Sequence, residues 1–163
     1  MRAVLSIGSN LEDRRALLGT VVDDFRADIV AASPVFSTPP WGVEDQGEFL
    51  NAVVLIDVPG TPRQLLRRGQ ALEDAAVRRR VRHWGPRTLD VDIVQVMEEG
   101  KEVLSDDPVL TLPHPFAHER AFVLVPWLAA DPSATLRGRP VAEWVAELDP
   151  VEVSAIKEVG SLL

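Results

Sequence analysis

The sequence contains no cysteine and no long apolar run, and each absence excludes a class of protein. Without cysteine there is no disulfide scaffold, no zinc–cysteine centre and no thiol nucleophile. The longest apolar run covers residues 121–130 and includes a proline, whereas a helix that crosses a bilayer needs about 20 residues. The amino terminus lacks the length and cleavage site of a signal peptide, so we expect a cytoplasmic protein with no membrane partner.

Length and composition are those of an ordinary globular domain. The chain has 163 residues, of which 46% are hydrophobic and 26% are charged. These proportions exclude a disordered, collagenous or fibrous chain, and a domain of this size buries about 70% of its extended-chain surface. We therefore expect one monomeric domain over residues 1–163, with a poorly ordered tail from about residue 150.

Charge is distributed unevenly along the chain. The net charge is −8, but residues 63–87 contain eight arginines and two acidic residues, a local charge of +6, so the other residues carry −14. This balance argues against a nucleic-acid partner. A compact basic segment indicates a local anion-binding site, although a solvated helix end and polar loop have the same composition.

Hydrophobic periodicity and turn residues predict six main elements, with helices that begin near Asn10 and at Thr61-Pro62. The β-α-β-β-α-β order is the split βαβ or ferredoxin-like arrangement, an α+β fold with both helices on one face of an antiparallel sheet. A C-terminal extension adds a hairpin near 95–104 and a helix near 141–148. The six elements are strands at 2–8, 29–37, 49–58 and 89–97, and helices from 10 to about 26 and from 61 to about 76.

Asp90 and Asp92 are candidate metal ligands. They lie two residues apart on a predicted strand, so both carboxylates point to one face while Leu89, Val91 and Ile93 point to the other. Hard oxygen ligands with no His or Cys nearby in the sequence suit Mg²⁺. Two solvated aspartates on an outer sheet face remain the alternative interpretation.

The usual nucleotide-binding loops are absent, since neither G-x-x-x-x-G-K-[ST] nor G-x-G-x-x-G occurs. Arg87 follows a Gly85-Pro86 turn and precedes the two aspartates by a few residues. An arginine beside a two-carboxylate metal strand suits the handling of a polyphosphate, because cations must neutralise its oxygens. A nucleotide enzyme of this kind would hold phosphates with arginines and metal.

The string H-W-G-P-R-T-L-D-V-D-I-V at residues 83–94 closely resembles the signature of a known family. That family is the 6-hydroxymethyl-7,8-dihydropterin pyrophosphokinases of folate biosynthesis, and the resemblance extends over about residues 2–145. The other matching segments are Ile7–Leu11, Thr38–Gly42, Phe49–Ala52, Gln70, Glu73, Pro113–Pro115 and Arg120–Phe122.

The resemblance implies an enzyme that transfers the pyrophosphoryl group of ATP to the reduced pterin, with two Mg²⁺ ions and AMP as the leaving product. It implies roles at matching positions, with two aromatic rings sandwiching the pterin and the aspartates binding the metals. The residues implied in catalysis are Arg78, Arg87, Asp90 and Asp92. Those implied in ATP binding are Gln70, Glu73, Arg80, His83, Trp84, Arg87, Ile93, Thr111, His114 and Arg120. Those implied in pterin binding are Thr38, Pro39, Trp41, Phe49, Asn51, Trp84, Asp90 and Phe122.

Three positions depart from the family pattern. His83 stands where the family usually has arginine, which makes one phosphate contact pH-dependent or transfers it to Arg82. Val109 replaces a basic residue of some members, and Val77 replaces a frequent glycine. These departures affect the expected affinity more than the expected activity.

Two other functions fit parts of the pattern. One is a different Mg²⁺-dependent phosphoryl or nucleotidyl transferase, which would release ADP or pyrophosphate. The other is a non-enzymatic ferredoxin-like nucleic-acid-binding module that uses the arginine segment. Against it, the strands lack the aromatic string of RNA-binding sheets and most of the chain is acidic.

Overall fold

The computed structural model describes residues 1–10, 13–39, 48–79 and 89–163, with residues 78 and 79 described by their backbone alone. The strands are β1 Arg2–Ser9, β2 Ile29–Ala32, β3 Val35–Thr38, β4 Phe49–Asp57, β5 Asp90–Glu98, β6 Lys101–Glu102, β7 Ser105–Asp107, β8 Leu110–Leu112, β9 Thr135–Leu136, β10 Arg139–Pro140 and β11 Lys157–Gly160. The α-helices are α1 Arg14–Phe25, α2 Pro62–Arg79, α3 Ala121–Ala130, α4 Val141–Ala146 and α5 Pro150–Ala155, and 3-10 turns occupy Arg26–Asp28 and Ala117–Glu119.

The main sheet has seven strands in the order β11-β3-β4-β1-β5-β6, with β2 also paired to β4. The strand pairs are antiparallel, and β1 lies between β4 and β5. β1 is buried from Ala3 to Ser9, as expected of a central strand covered on both faces. The fold is therefore a mixed α/β structure built around an antiparallel sheet.

Helices cover both faces of the sheet: α1 and α2 lie on one face, and α3, a helix that the sequence did not predict, lies on the other. Leu18, Val21 and Phe25 of α1 pack with Leu5 and Ile7 of β1 in one core cluster. On the other face, Leu124 and Trp127 of α3 pack with Val4 and Val53. The apolar run 121–130 is thus a core helix, and its residues give no amphipathic pattern because they pack between the sheet and α4.

Several element boundaries differ from the predicted ones for local reasons. The segment 29–37 forms two strands, because Pro34 has no N–H to donate and Ser33 instead pairs with Val53 through its N–H and its hydroxyl. Helix α1 begins at Arg14 rather than after Asn10. Helix α2 begins as predicted at Pro62, where Thr61 and Gln64 exchange side-chain hydrogen bonds with each other's backbone N–H.

The C-terminal residues form helix α5 and strand β11, in the segment for which the sequence predicts a poorly ordered tail from about residue 150. Asp149 accepts a hydrogen bond from the N–H of Val151 and caps α5. Strand β11 then pairs with β3, and Arg15 of α1 donates to the carbonyl of Val159 at 2.6 Å. None of the described helices is long and apolar enough to cross a membrane.

Candidate active site

The register of the three central strands brings polar residues together at one end of the sheet. Gly8 near the end of β1 lies opposite Asn51 of β4 on one side and opposite Asp90 of β5 on the other. Ser6 likewise lies opposite Asp92. Because successive side chains point to opposite faces and residues two apart share a face, these positions lie on the face that α3 covers.

A cavity of about 230 Å³ opens over this end of the sheet. A larger hollow of about 690 Å³ lies at the opposite end, between Met1, Glu99 and Thr135, and none of the predicted site residues lines it. The smaller cavity is therefore the candidate site. The described residues that line it are Ser6, Gly8, Thr38, Phe49, Asn51, Asp90, Asp92, Arg120 and Phe122.

One side of the cavity combines aromatic rings with buried polar side chains. The side chains of Asn51 and Thr38 are buried, and the amide Nδ2 of Asn51 donates to the hydroxyl of Thr38 at 2.8 Å. Phe49 is the first residue of β4 and Phe122 is the second residue of α3, and both side chains are partly buried and line the cavity. Pro39, which follows Thr38, is exposed.

The other side of the cavity contains the two carboxylates. Asp90 and Asp92 are partly buried on β5, and both line the cavity, so the strand places them on one face as the sequence predicts. Val91 between them points to the opposite face and belongs to the core under α1 and α2. No cluster of three or more metal-ligating side chains occurs among the described residues, and two carboxylates with substrate oxygens and water are a usual set for Mg²⁺.

Glu73 of α2 supports the strand between the two aspartates. Its Oε2 accepts a hydrogen bond from the N–H of Val91 at 3.0 Å. Within the part of the chain that the structure describes, the short strand β6 pairs with Met97 and Glu98 at the far end of β5. At Val91 the carboxylate of Glu73 is the acceptor for the strand's N–H. The resemblance implies that Glu73 binds ATP; the structure adds a contact with the strand that carries Asp90 and Asp92.

We expect Glu73→Ala to lower activity and to reduce the free energy of unfolding by about 1 kcal/mol, because the N–H of Val91 loses its acceptor. Glu73→Gln keeps an oxygen acceptor and should retain more activity. Asp74→Ala, at the next and exposed position of the helix, is the matched control. Equal kinetics and unfolding for Glu73→Ala and Asp74→Ala would contradict the supporting role.

Arg120 lies between two aromatic rings at the cavity. Its Cζ is 5.6 Å from the ring centre of Phe122 and 5.6 Å from that of Phe116, within the range of a cation–π contact. Phe116 is 53% exposed and its N–H donates to Nδ1 of His114 at 3.2 Å. Sequence reasoning missed Phe116, since a single aromatic residue in a proline-rich loop carries no periodic signal.

His114 is held beside the carboxylates by its backbone. Its N–H donates to the carbonyl of Val94 at 2.8 Å. Partial burial lowers the pKa of the imidazole from its usual 6.5; the charge of Asp92 raises it and that of Arg120 lowers it further. Together with the bond that Nδ1 accepts from Phe116, this favours a neutral ring with its proton on Nε2.

We expect the NMR titration of His114 to fall below pH 6.5. Between 6.5 and that lower pKa, the unfolded chain binds a proton that the folded protein does not. The free energy of unfolding should therefore decrease as the pH falls through this window. His114→Gln should remove both the resonance and this part of the pH dependence; an unchanged pH dependence would assign it to other groups.

The structure leaves some predicted site residues away from the cavity. Ile93 is buried in the core on the face opposite the carboxylates, so its side chain does not line the cavity. Gln70 is exposed on α2, and the hydroxyl of Thr111 donates to the carbonyl of Asp107. Their roles toward ATP stay predictions. Of the three positions that depart from the family's sequence pattern, Val77 and Val109 are exposed.

Other predicted residues lie outside the described part of the chain. The residues concerned are Trp41, Arg80, Arg82, His83, Trp84 and Arg87, together with the side chain of Arg78.

Comparison with known proteins identifies the family. The model of the family 7,8-dihydro-6-hydroxymethylpterin-pyrophosphokinase matches residues 4–132. A 2-amino-4-hydroxy-6-hydroxymethyldihydropteridine pyrophosphokinase of Mycobacterium bovis is 48% identical over 166 residues, which cover 96% of this chain and 88% of the relative. A protein of the same name from Methylorubrum extorquens is 42% identical and covers 96% of this chain and 99% of the relative.

The fold also has a match among solved structures. Wild-type HPPK-DHPS of Plasmodium falciparum superposes with a TM-score of 0.62 at 13% identity, over 90% of this chain and 40% of that one. At this identity the likeness is one of fold.

These findings first define the class: the chain is a pyrophosphokinase, an enzyme that transfers a diphosphate group and uses ATP as co-substrate. More narrowly, the chain belongs to the 7,8-dihydro-6-hydroxymethylpterin-pyrophosphokinase family, whose activity serves folate biosynthesis. The family predicted from residues 83–94 is thereby confirmed.

Proposed function

We propose that this protein transfers the pyrophosphoryl group of ATP to the hydroxymethyl oxygen of 6-hydroxymethyl-7,8-dihydropterin at the cavity between Phe122 and Asp90. The alcohol oxygen bonds to the β-phosphorus, the bond from that phosphorus to the bridging oxygen of the α-phosphate breaks, and AMP leaves. The proton of the alcohol passes to water. The observation that carries the proposal is one cavity lined by two aromatic rings, a buried amide and two carboxylates.

The pterin binds on the side of the cavity formed by Phe49, Phe122 and Asn51. A fused polar heterocycle needs flat apolar contacts on its faces and hydrogen bonds at its edge. Two phenylalanine rings and the amide of Asn51, held by Thr38, supply both kinds of contact. The cavity volume of about 230 Å³ suits a small ring system.

Asp90 and Asp92 are the residues that would hold two Mg²⁺ ions. The donor set fits, because both carboxylates line the same cavity and carboxylate oxygens are ligands that Mg²⁺ prefers. When bound, Mg²⁺ would neutralise charge on the polyphosphate oxygens. Glu73 keeps the strand between the two aspartates in place through the N–H of Val91.

Cationic side chains orient the polyphosphate. Arg120 lines the cavity and is positioned by two rings, so its guanidinium lies where an anionic substrate would enter. Arg78 and Arg87, proposed to assist the transfer, lie outside the described side chains. Positioning has to supply much of the rate, because a primary alcohol is a weak nucleophile.

The product distinguishes this function from its alternatives. The enzyme is incubated with ATP, Mg²⁺ and the reduced pterin, and the products are separated by chromatography. AMP and the pterin diphosphate are expected in equal amounts. ADP would indicate a monophosphate kinase, pyrophosphate a nucleotidyl transferase, and unconsumed ATP a binding module.

Two further properties belong to the same proposal. The order β3-β4-β1-β5 with α1 and α2 on one face supports a ferredoxin-like core within the larger sheet. The protein acts as a monomer in the cytoplasm on small molecules, without a nucleic-acid or membrane partner, in keeping with its net charge of −8 and its lack of cysteine.

A further inference from the structure

Gly8 forms part of the cavity floor at the centre of the sheet. It is buried, lies opposite Asn51 on one side and Asp90 on the other, and lines the same cavity as both. Its backbone does not require glycine, because Gly8 is not among the glycines with positive φ. The reason for a glycine at this position must therefore lie in the space around it.

That space is occupied by the side chain of Asn51. A Cβ added to Gly8 would lie 2.7 Å from Oδ1 of Asn51, and the next nearest atoms are the Leu50 carbonyl oxygen at 3.6 Å and Cγ of Asn51 at 3.7 Å. Carbon and oxygen atoms that are not bonded to each other do not approach to 2.7 Å, so the amide of Asn51 would have to move.

The amide of Asn51 has little freedom to move. It is 5% exposed, and its Nδ2 donates to the hydroxyl of Thr38, which is also 5% exposed. A shift away from Gly8 would stretch or break this buried hydrogen bond and turn the amide. The backbone contact with Leu50 is less tight, so the strand itself need not move.

We propose that Gly8 is a positioning residue for substrate recognition: its missing side chain leaves the space that lets Asn51 present its amide to the polar edge of the pterin. This inference rests on the proposed function, which places the pterin edge at Asn51. Strand β1 then contributes to pterin binding indirectly, through the position of Asn51. The side of the cavity that binds the nucleotide is unchanged.

The test is a double-mutant cycle between Gly8→Ala and Asn51→Ala. Pterin and MgATP-analogue affinities are measured separately by calorimetry. Gly19→Ala is the matched control, since a Cβ on that glycine of α1 meets nothing within 4 Å. We expect Gly8→Ala to weaken pterin binding by about ten-fold, the effect of one misplaced hydrogen bond. Affinity for the MgATP analogue should stay within about two-fold, and Gly19→Ala should bind both ligands normally.

The second half of the cycle decides whether Gly8 acts through Asn51. In the Asn51→Ala background the crowding is gone, so Gly8→Ala should cost no further pterin affinity. A loss that persists in that background would overturn the proposal, because Gly8 would then contact the ligand itself. Unchanged pterin affinity in Gly8→Ala would overturn it as well.

Failure of the proposed function gives a different pattern. If Asn51 does not face the pterin, Asn51→Ala alone leaves pterin binding normal, and the positioning role falls with the site. If only the role of Gly8 is wrong, Asn51→Ala is impaired while Gly8→Ala is normal. Should Gly8→Ala not fold, the double variant with Asn51→Ala should restore folding; a double variant that also fails to fold would show that Gly8 is needed for another reason.

Discussion

Replacing either carboxylate at the cavity, Asp90→Ala or Asp92→Ala, should abolish diphosphate transfer and leave the fold intact. A metal ion contributes several kcal/mol of charge stabilisation in the transition state, and a loss of about 4 kcal/mol corresponds to a roughly thousand-fold fall in kcat. Neither aspartate packs in the hydrophobic clusters. Removing one of two neighbouring like charges also lowers their repulsion, so thermal unfolding should change little.

The measurement is the initial rate of AMP formation as a function of Mg²⁺ concentration. Asp106→Ala is the matched control, because Asp106 is an exposed strand aspartate on β7 outside the cavity. It should keep wild-type kinetics. Near-normal turnover of either cavity variant at saturating Mg²⁺ would rule out the metal assignment.

The second large effect is expected at the aromatic wall. Phe122→Ala should weaken pterin binding far more than ATP binding, because stacking of a base on an aromatic ring contributes about 1 to 3 kcal/mol, or roughly 5- to 160-fold in affinity. Phe122 is only partly buried and lies at the edge of the core cluster in which α3 packs on the sheet. The variant should therefore fold, although with somewhat lower stability.

Phe122→Leu is the matched comparison for this prediction. Leucine fills much of the same volume in the cluster but offers no flat face, so it should restore stability without restoring pterin affinity. Calorimetry with each ligand and thermal unfolding measure the two properties independently. If Phe122→Leu recovers both, or if Phe122→Ala loses ATP and pterin affinity equally, Phe122 is a core residue and not a substrate contact.

Several parts of the site could be predicted from local sequence because their physics is local. The alternation of side chains along a strand places Asp90 and Asp92 on one face and Val91 on the other. The beginning of α2 follows from Thr61-Pro62, whose capping bonds form within four residues. The family followed from one twelve-residue string, since its order of residues is specific without any knowledge of the fold.

Other features were not predicted, because a distant partner decided the outcome. The residues from about 150 look like a weak tail, yet β11 pairs with β3 and Arg15 holds it from α1. Helices cover both faces because the run 121–130 packs as a helix on the side that the β-α-β-β-α-β pattern leaves open. Neither contact leaves a signal in the segment itself.

By itself, the sequence determined the family, the type of most elements and the residue types available for chemistry. Only the tertiary structure decided which of these residues meet. Gly8, Asn51 and Asp90 are far apart in the chain and become neighbours because β1 lies between β4 and β5. The physical reason is that capping, turns and alternation act between adjacent residues, whereas strand order depends on long-range pairing and on burial of both sheet faces.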